Sequence, residues 1–452
     1  MPASLSRDDF KAACQTPLRK AIRVNTLKIS VTDFVERMTA KGWHLQAIPW
    51  CSAGFWIERE DESVMLGNET EHLLGLFYVQ EASSMLPPQA LWHLMTDMPT
   101  TVLDMAAAPG SKTTQLSALM ANHGVLVANE LSSSRLKSMA ANLQRLGVAN
   151  VALSHFDGRV FGAALTDTFD AILLDAPCGG EGTIRKDPDA LKNWSWQHID
   201  EVSALQQEML VSAFQALKVG GVLVYSTCTL NQQENQDVLT SLLSRYPDAV
   251  ETISLSGLFD GADRALTEQG YLHIWPQIFD SEGFFVAAIR KTQAVSAPSP
   301  TFKLGQFPYQ KASKRQAADL CNYLKRQFGF DEPLNLWMRD GGFWHFPVAG
   351  EDLIGRFRMD RIGIRIAEPA GKEWKLHQDF IQAFGRHCQP LALSLEQATE
   401  YLKGRDLSFD TSATGEQLVA LDGYPLGSVK VVKQKLKNRL PRELVKDQVV
   451  LK

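Results

Sequence analysis

A chain of 452 residues is too long for a single compact core and implies two to four domains. At 45% hydrophobic and 21% charged residues, its composition is that of an ordinary folded protein rather than a disordered or collagenous one. A net charge of -5 excludes a protein that coats nucleic acid through bulk electrostatics.

The start, M-P-A-S-L-S-R-D-D-F, has no charged segment followed by an apolar run, and no stretch approaches the roughly 20 apolar residues that span a bilayer. A soluble, cytoplasmic protein is expected. Residues 1–76, with R-V-N-T-L-K from Arg23 and F-W-I-E from Phe55, read as a small α+β domain. Residues 77–292 form the next unit, in which short apolar runs alternate with helical patterns. T-V-L-D-M-A-A from Thr101, G-V-L-V-A-N-E from Gly124, N-V-A-L-S-H-F-D from Asn150, F-D-A-I-L-L-D-A from Phe169 and G-G-V-L-V-Y-S-T-C from Gly220 read as buried strands. Between them, Ser132 caps a helix running to Leu146 and stopped by Gly147, and Ile199 to Leu217 has helical spacing. Such alternation predicts an α/β fold, a mostly parallel sheet with helices on both faces. Two further strands, around H-I-W and G-F-F-V-A-A-I, are joined by a polar turn at Asp280 to Gly283 and suit an antiparallel edge.

The segment from Ala294 to Thr301, A-V-S-A-P-S-P-T, reads as a linker. Beyond it, G-G-F-W-H-F-P falls in a small mixed α/β module over 300–370, and L-V-A-L-D-G-Y-P-L-G-S-V-K-V in a β-rich module over 375–452. Both carry basic stripes. Four arginines stand against one aspartate from Leu353 to Ile366, and eight basic residues against Glu443 and Asp447 from Ser428 to Lys452. These stripes suit either phosphate contacts or a solvated charged face.

Chemistry concentrates at the carboxyl ends of the predicted strands. After the first comes D-M-A-A-A-P-G-S-K-T, whose small residues let a ligand approach the start of the following helix. Glu130 ends the second strand and suits the hydroxyls of an adenosine ribose. Asp157 ends the third, within reach of an adenine edge, and Asp175 ends the fourth. G-S-K-T is not a phosphate-binding loop, because the required glycines fall at Ala106 and Ser111, and no G-x-G-x-x-G is present. S-adenosyl-L-methionine fits best: it has adenosine for the acidic positions and no phosphate. The expected core is therefore a class I, Rossmann-like, S-adenosylmethionine-dependent methyltransferase.

Cys178 in D-A-P-C and Cys228 in S-T-C-T close the fourth and fifth strands. Carbon 5 of a pyrimidine becomes nucleophilic only after a thiolate adds at carbon 6, so one cysteine would attack and the other help end the covalent state. Spacing does not say which. The other cysteines, at 14, 51, 321 and 388, form no C-x-x-C pair and read as inert free thiols, and the ten histidines show no zinc spacing, so no metal is expected.

The motifs A-A-P-G-S-K-T, D-A-P-C, Y-S-T-C-T, R-V-N-T-L-K, V-Q-E-A-S-S and D-S-E-G-F-F-V-A, in this order over residues 22–290, resemble the Sun/NOL1/NOP2 class of RNA cytosine-5 methyltransferases. The tail, G-Y-P-L-G-S-V-K-V then L-K-N-R-L-P-R-E-L, is similar to the PUA-like end of members that act on small-subunit ribosomal RNA. The resemblance implies cofactor contacts from Ala106, Ala107, Ala108, Pro109, Gly110, Ser111, Lys112, Glu130, Asp157 and Asp175. It implies Cys228 as nucleophile and Cys178 as an aid to product release. It also implies RNA-binding N-terminal and PUA-like modules, and methylation of a cytosine in the decoding region of 16S rRNA in the small ribosomal subunit. Apart from that resemblance, a monomer with no metal and no membrane partner is expected. Ser111 stands where the family usually has Gly, and Gly179 where it has Ser.

Asp175 is three residues from Cys178 and suits hydrogen bonding to N3 of the base, a second role beside cofactor positioning. Arg185 and Lys186 are candidates for phosphate contacts, with Arg23 and Lys28 on the same RNA surface; Trp194 and Trp196 read as packing residues before base-stacking ones. Transfer RNA is the alternative substrate. An adenine amino-methyltransferase would carry [ND]-P-P-[YF] in place of D-A-P-C, and a noncatalytic RNA-binding assembly factor would have lost the reactive positions that this chain keeps.

Overall fold

The computed structural model describes residues 5–299 and 306–452, apart from 193 and 372. Strands β1 (Ala21–Val24), β2 (Trp43–Ile48), β3 (Cys51–Arg59) and β4 (Phe77–Val79) make an antiparallel sheet in the order β2-β3-β1-β4. The central sheet contains β5 (Thr101–Asp104), β6 (Val125–Asn129), β7 (Val151–Ser154), β8 (Phe169–Asp175), β9 (Leu217–Thr227), β10 (Val250–Ile253), β11 (Leu272–Ile274) and β12 (Phe284–Lys291). Its order is β10-β12-β9-β8-β5-β6-β7, with β11 paired to β12.

β5 pairs in parallel with both β6 and β8, so the chain reverses its direction of travel across the sheet at β5. In such sheets the crevice at the reversal, beyond the carboxyl ends of the strands, is where ligands bind. The apolar runs Val102–Leu103, Val125–Ala128 and Ile172–Leu174 are almost wholly buried, as expected of parallel strands covered on both faces.

All five expected central strands are present, with differences at their ends. The last starts at Leu217 rather than Gly220, and the helix before it starts at Trp196, where the Ser195 hydroxyl accepts the His198 N–H at 3.1 Å. β11 and β12 pair antiparallel, but a helical turn, Pro276–Phe279, lies between them. β10 was not anticipated. The expected linker ends at 300 and 301, which lie outside the described residues.

Past the linker, strands Gln310–Lys311, Leu336–Arg339, Gly342–His345, Ile364–Ala370 and Glu373–Leu376 form an antiparallel sheet beside the helix Lys314–Phe328. One two-residue strand of this region, Arg361–Ile362, instead pairs antiparallel with β7 and extends the central sheet. A last five-stranded sheet is built on the long hairpin Gly415–Leu421 and Tyr424–Val432.

The two ends of the chain share a core. Ile22, Phe34 and Phe77 lie in one apolar cluster with Tyr401, Val419 and Val429. Next to it, Lys28 is buried and donates to Leu74 O at 3.0 Å, Arg145 O at 2.8 Å and Gln382 Oε1 at 2.6 Å. Burial, with Arg145 and Arg386 nearby, pulls its ammonium well below the ordinary lysine value. Lys28 is therefore a tie between three regions of sequence and has no face for RNA, a correction to its expected role. Lys28→Ala leaves these acceptors without their donor and is expected to lower the unfolding free energy by about 3 kcal/mol, read as a lower urea midpoint at unchanged slope. A midpoint shift below a few tenths of molar urea would remove the tie.

Candidate active site

At the carboxyl ends of β5 to β9 lies a cleft of about 600 Å³ lined by Ala106, Ala108, Glu130, Asp157, Asp175, Cys178 and Cys228, among others. That volume suits a nucleoside-sized ligand. Of the residues expected at the cofactor, Ala107, Pro109, Gly110, Ser111 and Lys112 are not among its lining, a difference from the expectation. Ala107, Pro109 and Gly110 form the turn that leads into the helix Ser111–Leu119, where Lys112, Thr113 and Thr114 are buried, and Pro109 is exposed.

The acidic residues differ in how free they are. Glu130 Oε1 accepts the Ser132 N–H at 2.8 Å, and Oε2 lies 3.4 Å from Arg135. Asp157 caps the turn Gly158–Val160 and takes a two-pronged contact from Arg159, which also reaches Glu208 at 2.7 Å. The capping role and the cleft-lining role thus coexist. Below them Asp104, fully buried, accepts from Thr113 Oγ1 at 2.7 Å while its Oδ1 has no partner. Burial pushes its carboxyl up to about 7.

Asp175 is held from both sides. Its Oδ1 accepts from Ser226 Oγ and its Oδ2 from Lys112 Nζ, each at 2.7 Å. Lys112 donates also to Ser84 Oγ at 3.0 Å and lies over the Phe284 ring. Burial alone pulls the Lys112 ammonium down, but Asp175, Asp104 and Cys228 outweigh it and hold the group above its ordinary value.

β8 and β9 run side by side, so the residues just past their ends meet. The Cys178 and Cys228 sulfurs are 3.2 Å apart. The hydrogen bond to Cys228, burial and the nearby Glu234 push the Cys178 thiol well above the usual range. Cys178 is therefore the thiol that keeps its proton and donates.

Glu234, missed in the sequence, holds both cysteine segments. Fully buried, it accepts from the Gly179 N–H at 2.8 Å and Gln206 Nε2 at 2.9 Å on the Cys178 side. On the Cys228 side it accepts from Thr229 Oγ1 at 3.3 Å and Asn231 Nδ2 at 2.6 Å. A Cβ on Gly179 would stand 2.8 Å from Glu234 Oε1, so a serine there requires this carboxylate to shift. Gly182 donates to Cys228 O at 2.9 Å and accepts from the Gly283 N–H at 3.0 Å; any side chain on it would meet the Gly283 oxygen at 2.0 Å. D-A-P-C, S-T-C-T and D-S-E-G-F are thus joined through backbone that only glycine allows. The one signal for Glu234 in the sequence was the polar run N-Q-Q-E-N directly after a buried strand.

Three expected RNA contacts are corrected. Arg185 is buried and spends its guanidinium on Thr16 O, Pro17 O, Ser281 O and Asp280. Arg23 is buried against Tyr78 and Thr114, and Lys28 has been described above. Lys186 stays partly exposed and pairs with Glu81 at 3.0 Å. Much of the arginine stripe is also engaged: Arg356 with Thr168, Arg361 with Asp379 and Arg365 with Glu368. Trp194 and Trp196 are 40% and 61% exposed, so they do not pack into the core as expected. Among the described residues there is no group of side chains able to hold a metal, and no helix long and apolar enough to cross a membrane.

Comparison with known proteins is consistent along the chain. Residues 92–290 match the profile of the 16S rRNA methyltransferase RsmB/F family, and residues 1–82 that of the N-terminal domain of 16S rRNA methyltransferase RsmF. Residues 309–384 match the pre-PUA domain of ribosomal RNA small subunit methyltransferase F, and 388–446 the methyltransferase RsmF PUA domain. Proteins named ribosomal RNA small subunit methyltransferase F are similar over the full length. The one from Aeromonas salmonicida is 54% identical, covering 99% of this chain and 95% of its own, and the one from Cronobacter sakazakii is 53% identical, covering 100% and 95%. The crystal structure of a methyltransferase homolog protein from Pyrococcus horikoshii is similar with 38% identity and a TM-score of 0.55, over 63% of this chain and 90% of that one.

The proton on Cys178 has a direct consequence for reactivity, since only a thiolate alkylates readily. Iodoacetamide at pH 8 is expected to modify Cys228 at least about tenfold faster than Cys178, measured by peptide mass spectrometry. The reverse order would contradict the electrostatics of the pair.

Proposed function

The chain belongs to the family of ribosomal RNA small subunit methyltransferase F, and from this we propose that it methylates carbon 5 of a cytosine in 16S rRNA through a covalent Cys228 adduct. The observation that carries the reading is the pair of sulfurs 3.2 Å apart at the lip of the cleft, one of them kept protonated. An amino-group methyltransferase has no use for such a pair.

The cleft suits S-adenosyl-L-methionine. Its carboxylates, Glu130 and Asp157, accept the hydroxyl and amino donors of an adenosine, and its wall at Ala106 and Ala108 is free of bulk. When bound, this molecule supplies an electrophilic methyl group. Asp175, at the sulfur end of the cleft, is anchored by Ser226 and Lys112 and keeps a fixed position beside the reacting base.

Cys228 acts as its thiolate, the nucleophilic form of a cysteine. That thiolate forms a bond to carbon 6 of the cytosine, and the electron pair of the 5,6 double bond moves into the ring toward N3. Charge developing there is stabilised at the Asp175 end of the cleft, where the Lys112 ammonium stands behind the lining, 2.7 Å from Asp175 Oδ2, and offsets the carboxylate's own negative charge. Carbon 5 then bonds to the methyl group as that group's bond to the sulfonium sulfur breaks, its electron pair staying on the sulfur, which becomes a neutral thioether. Loss of the carbon 5 proton to solvent water re-forms the double bond as the carbon–sulfur bond breaks and Cys228 leaves as thiolate. Cys178 donates its S–H to that departing thiolate, which lowers the cost of release.

Incubating the protein with labelled S-adenosyl-L-methionine and rRNA or tRNA, followed by bisulfite mapping, tests the reaction and separates the two substrates. Absence of new 5-methylcytosine in any RNA would overturn it. Cys228→Ala is expected to abolish turnover with no covalent complex, whereas Cys178→Ala accumulates one on denaturing gels; the opposite pattern exchanges their roles. Lys112→Met is expected to lower kcat about 10²- to 10³-fold, with little change in RNA affinity.

A further inference from the structure

A second cavity, of about 870 Å³, opens on the other side of the cysteine-bearing loops. Phe10, Trp194 and Trp275 contribute aromatic rings to its lining, and Arg7 and Lys11 on the helix Arg7–Gln15 contribute cations. Neither cation is ion-paired among the described residues. Asp8 and Asp9 share that helix but are not among the lining residues. The cavity's one carboxylate, Glu181, is committed on both oxygens, to Trp194 Nε1 at 2.6 Å and to the Leu230 N–H at 3.3 Å.

These contacts tie the wall of this cavity to the loops that carry the two cysteines. Glu181 lies three residues past Cys178 and Leu230 two past Cys228, and Asn231, which also lines the cavity, donates to Glu234. A face that is apolar and aromatic, rimmed by unpaired cations and built in part from the loops that follow the two cysteines, has the chemistry of a stacking platform for a nucleobase with a phosphate-binding edge. Trp194 and Trp196 present their rings to solvent, 40% and 61% exposed and edge to face at 5.1 Å, which leaves indole surface for a base to cover.

We propose that this cavity is a subsite for an unpaired nucleotide of the RNA substrate flanking the target cytosine, its base stacked on Trp194 and its phosphates met by Arg7 and Lys11. The inference rests on the RNA methyltransferase reading. It adds to that reading a means of keeping the target strand open, since a captured neighbouring base cannot re-stack on an extruded one.

Binding of 5′-fluorescein-labelled hexauridylate to the full-length chain, followed by fluorescence anisotropy, tests the subsite. Trp194→Ala is expected to weaken binding about 5- to 100-fold, and Trp194→Phe, which keeps a ring but loses the bond to Glu181, to retain most of the affinity. If the indole N–H bond to Glu181 were all that mattered, Trp194→Phe would bind as weakly as Trp194→Ala, and that result would overturn the stacking role. Arg7→Ala with Lys11→Ala is expected to reduce the slope of log affinity against log salt by about 1.4. An abasic hexamer is expected to bind weakly and to be indifferent to Trp194. Wild-type protein that fails to bind hexauridylate at low salt, or Trp194→Ala binding within twofold of wild type, overturns the subsite. Absence of methyl transfer with the Trp194 effect intact overturns the reaction and leaves the subsite standing.

Discussion

One buried carboxylate ties the two reactive segments of this protein into a single unit. Glu234 takes a backbone N–H and a glutamine amide from the Cys178 side and a hydroxyl and an asparagine amide from the Cys228 side. A carboxylate removed from water is costly unless its lone pairs are filled, and here four donors fill them. The same donors therefore determine where each loop lies. With Gly182 bonded to both Cys228 and Gly283, the sulfurs have little freedom to separate.

That geometry assigns unequal roles to two chemically identical groups. Cys178 faces the carboxylate and the other sulfur, so its proton is retained; Cys228 shares its surroundings with the Lys112 ammonium. Gly179 fits the same packing: its N–H donates to Glu234 Oε2, while a Cβ there would stand 2.8 Å from Oε1.

The outer modules support the site from a distance. The apolar cluster shared by residues near both ends of the chain, the Lys28 tie and the strand Arg361–Ile362 added to β7 hold the N-terminal and C-terminal sheets against the central one. The helix Arg7–Gln15 borders the second cavity, and the buried Arg185 joins the chain at Thr16 and Pro17 to the cysteine loop. Basic residues that look like RNA contacts in a linear reading thus serve as structural bolts. They are inside because they find carbonyl partners from distant parts of the chain, and such partners have no local signature.

What could be read from the amino-acid order was whatever is carried by periodicity and by short motifs. Continuous apolar runs marked the five central strands, and acidic residues and cysteines at their ends marked the cleft, because a parallel sheet places its strand ends together. β10 escaped notice since V-E-T-I is only partly buried, and Glu234 because a charged residue is expected at the surface. Only the tertiary structure decided which charges are buried, which residues of A-A-P-G-S-K-T line the cleft and which support it, and which cysteine keeps its proton. Those outcomes depend on neighbours brought together by folding, whose distance and burial set the electrostatics, and no spacing along the chain encodes them.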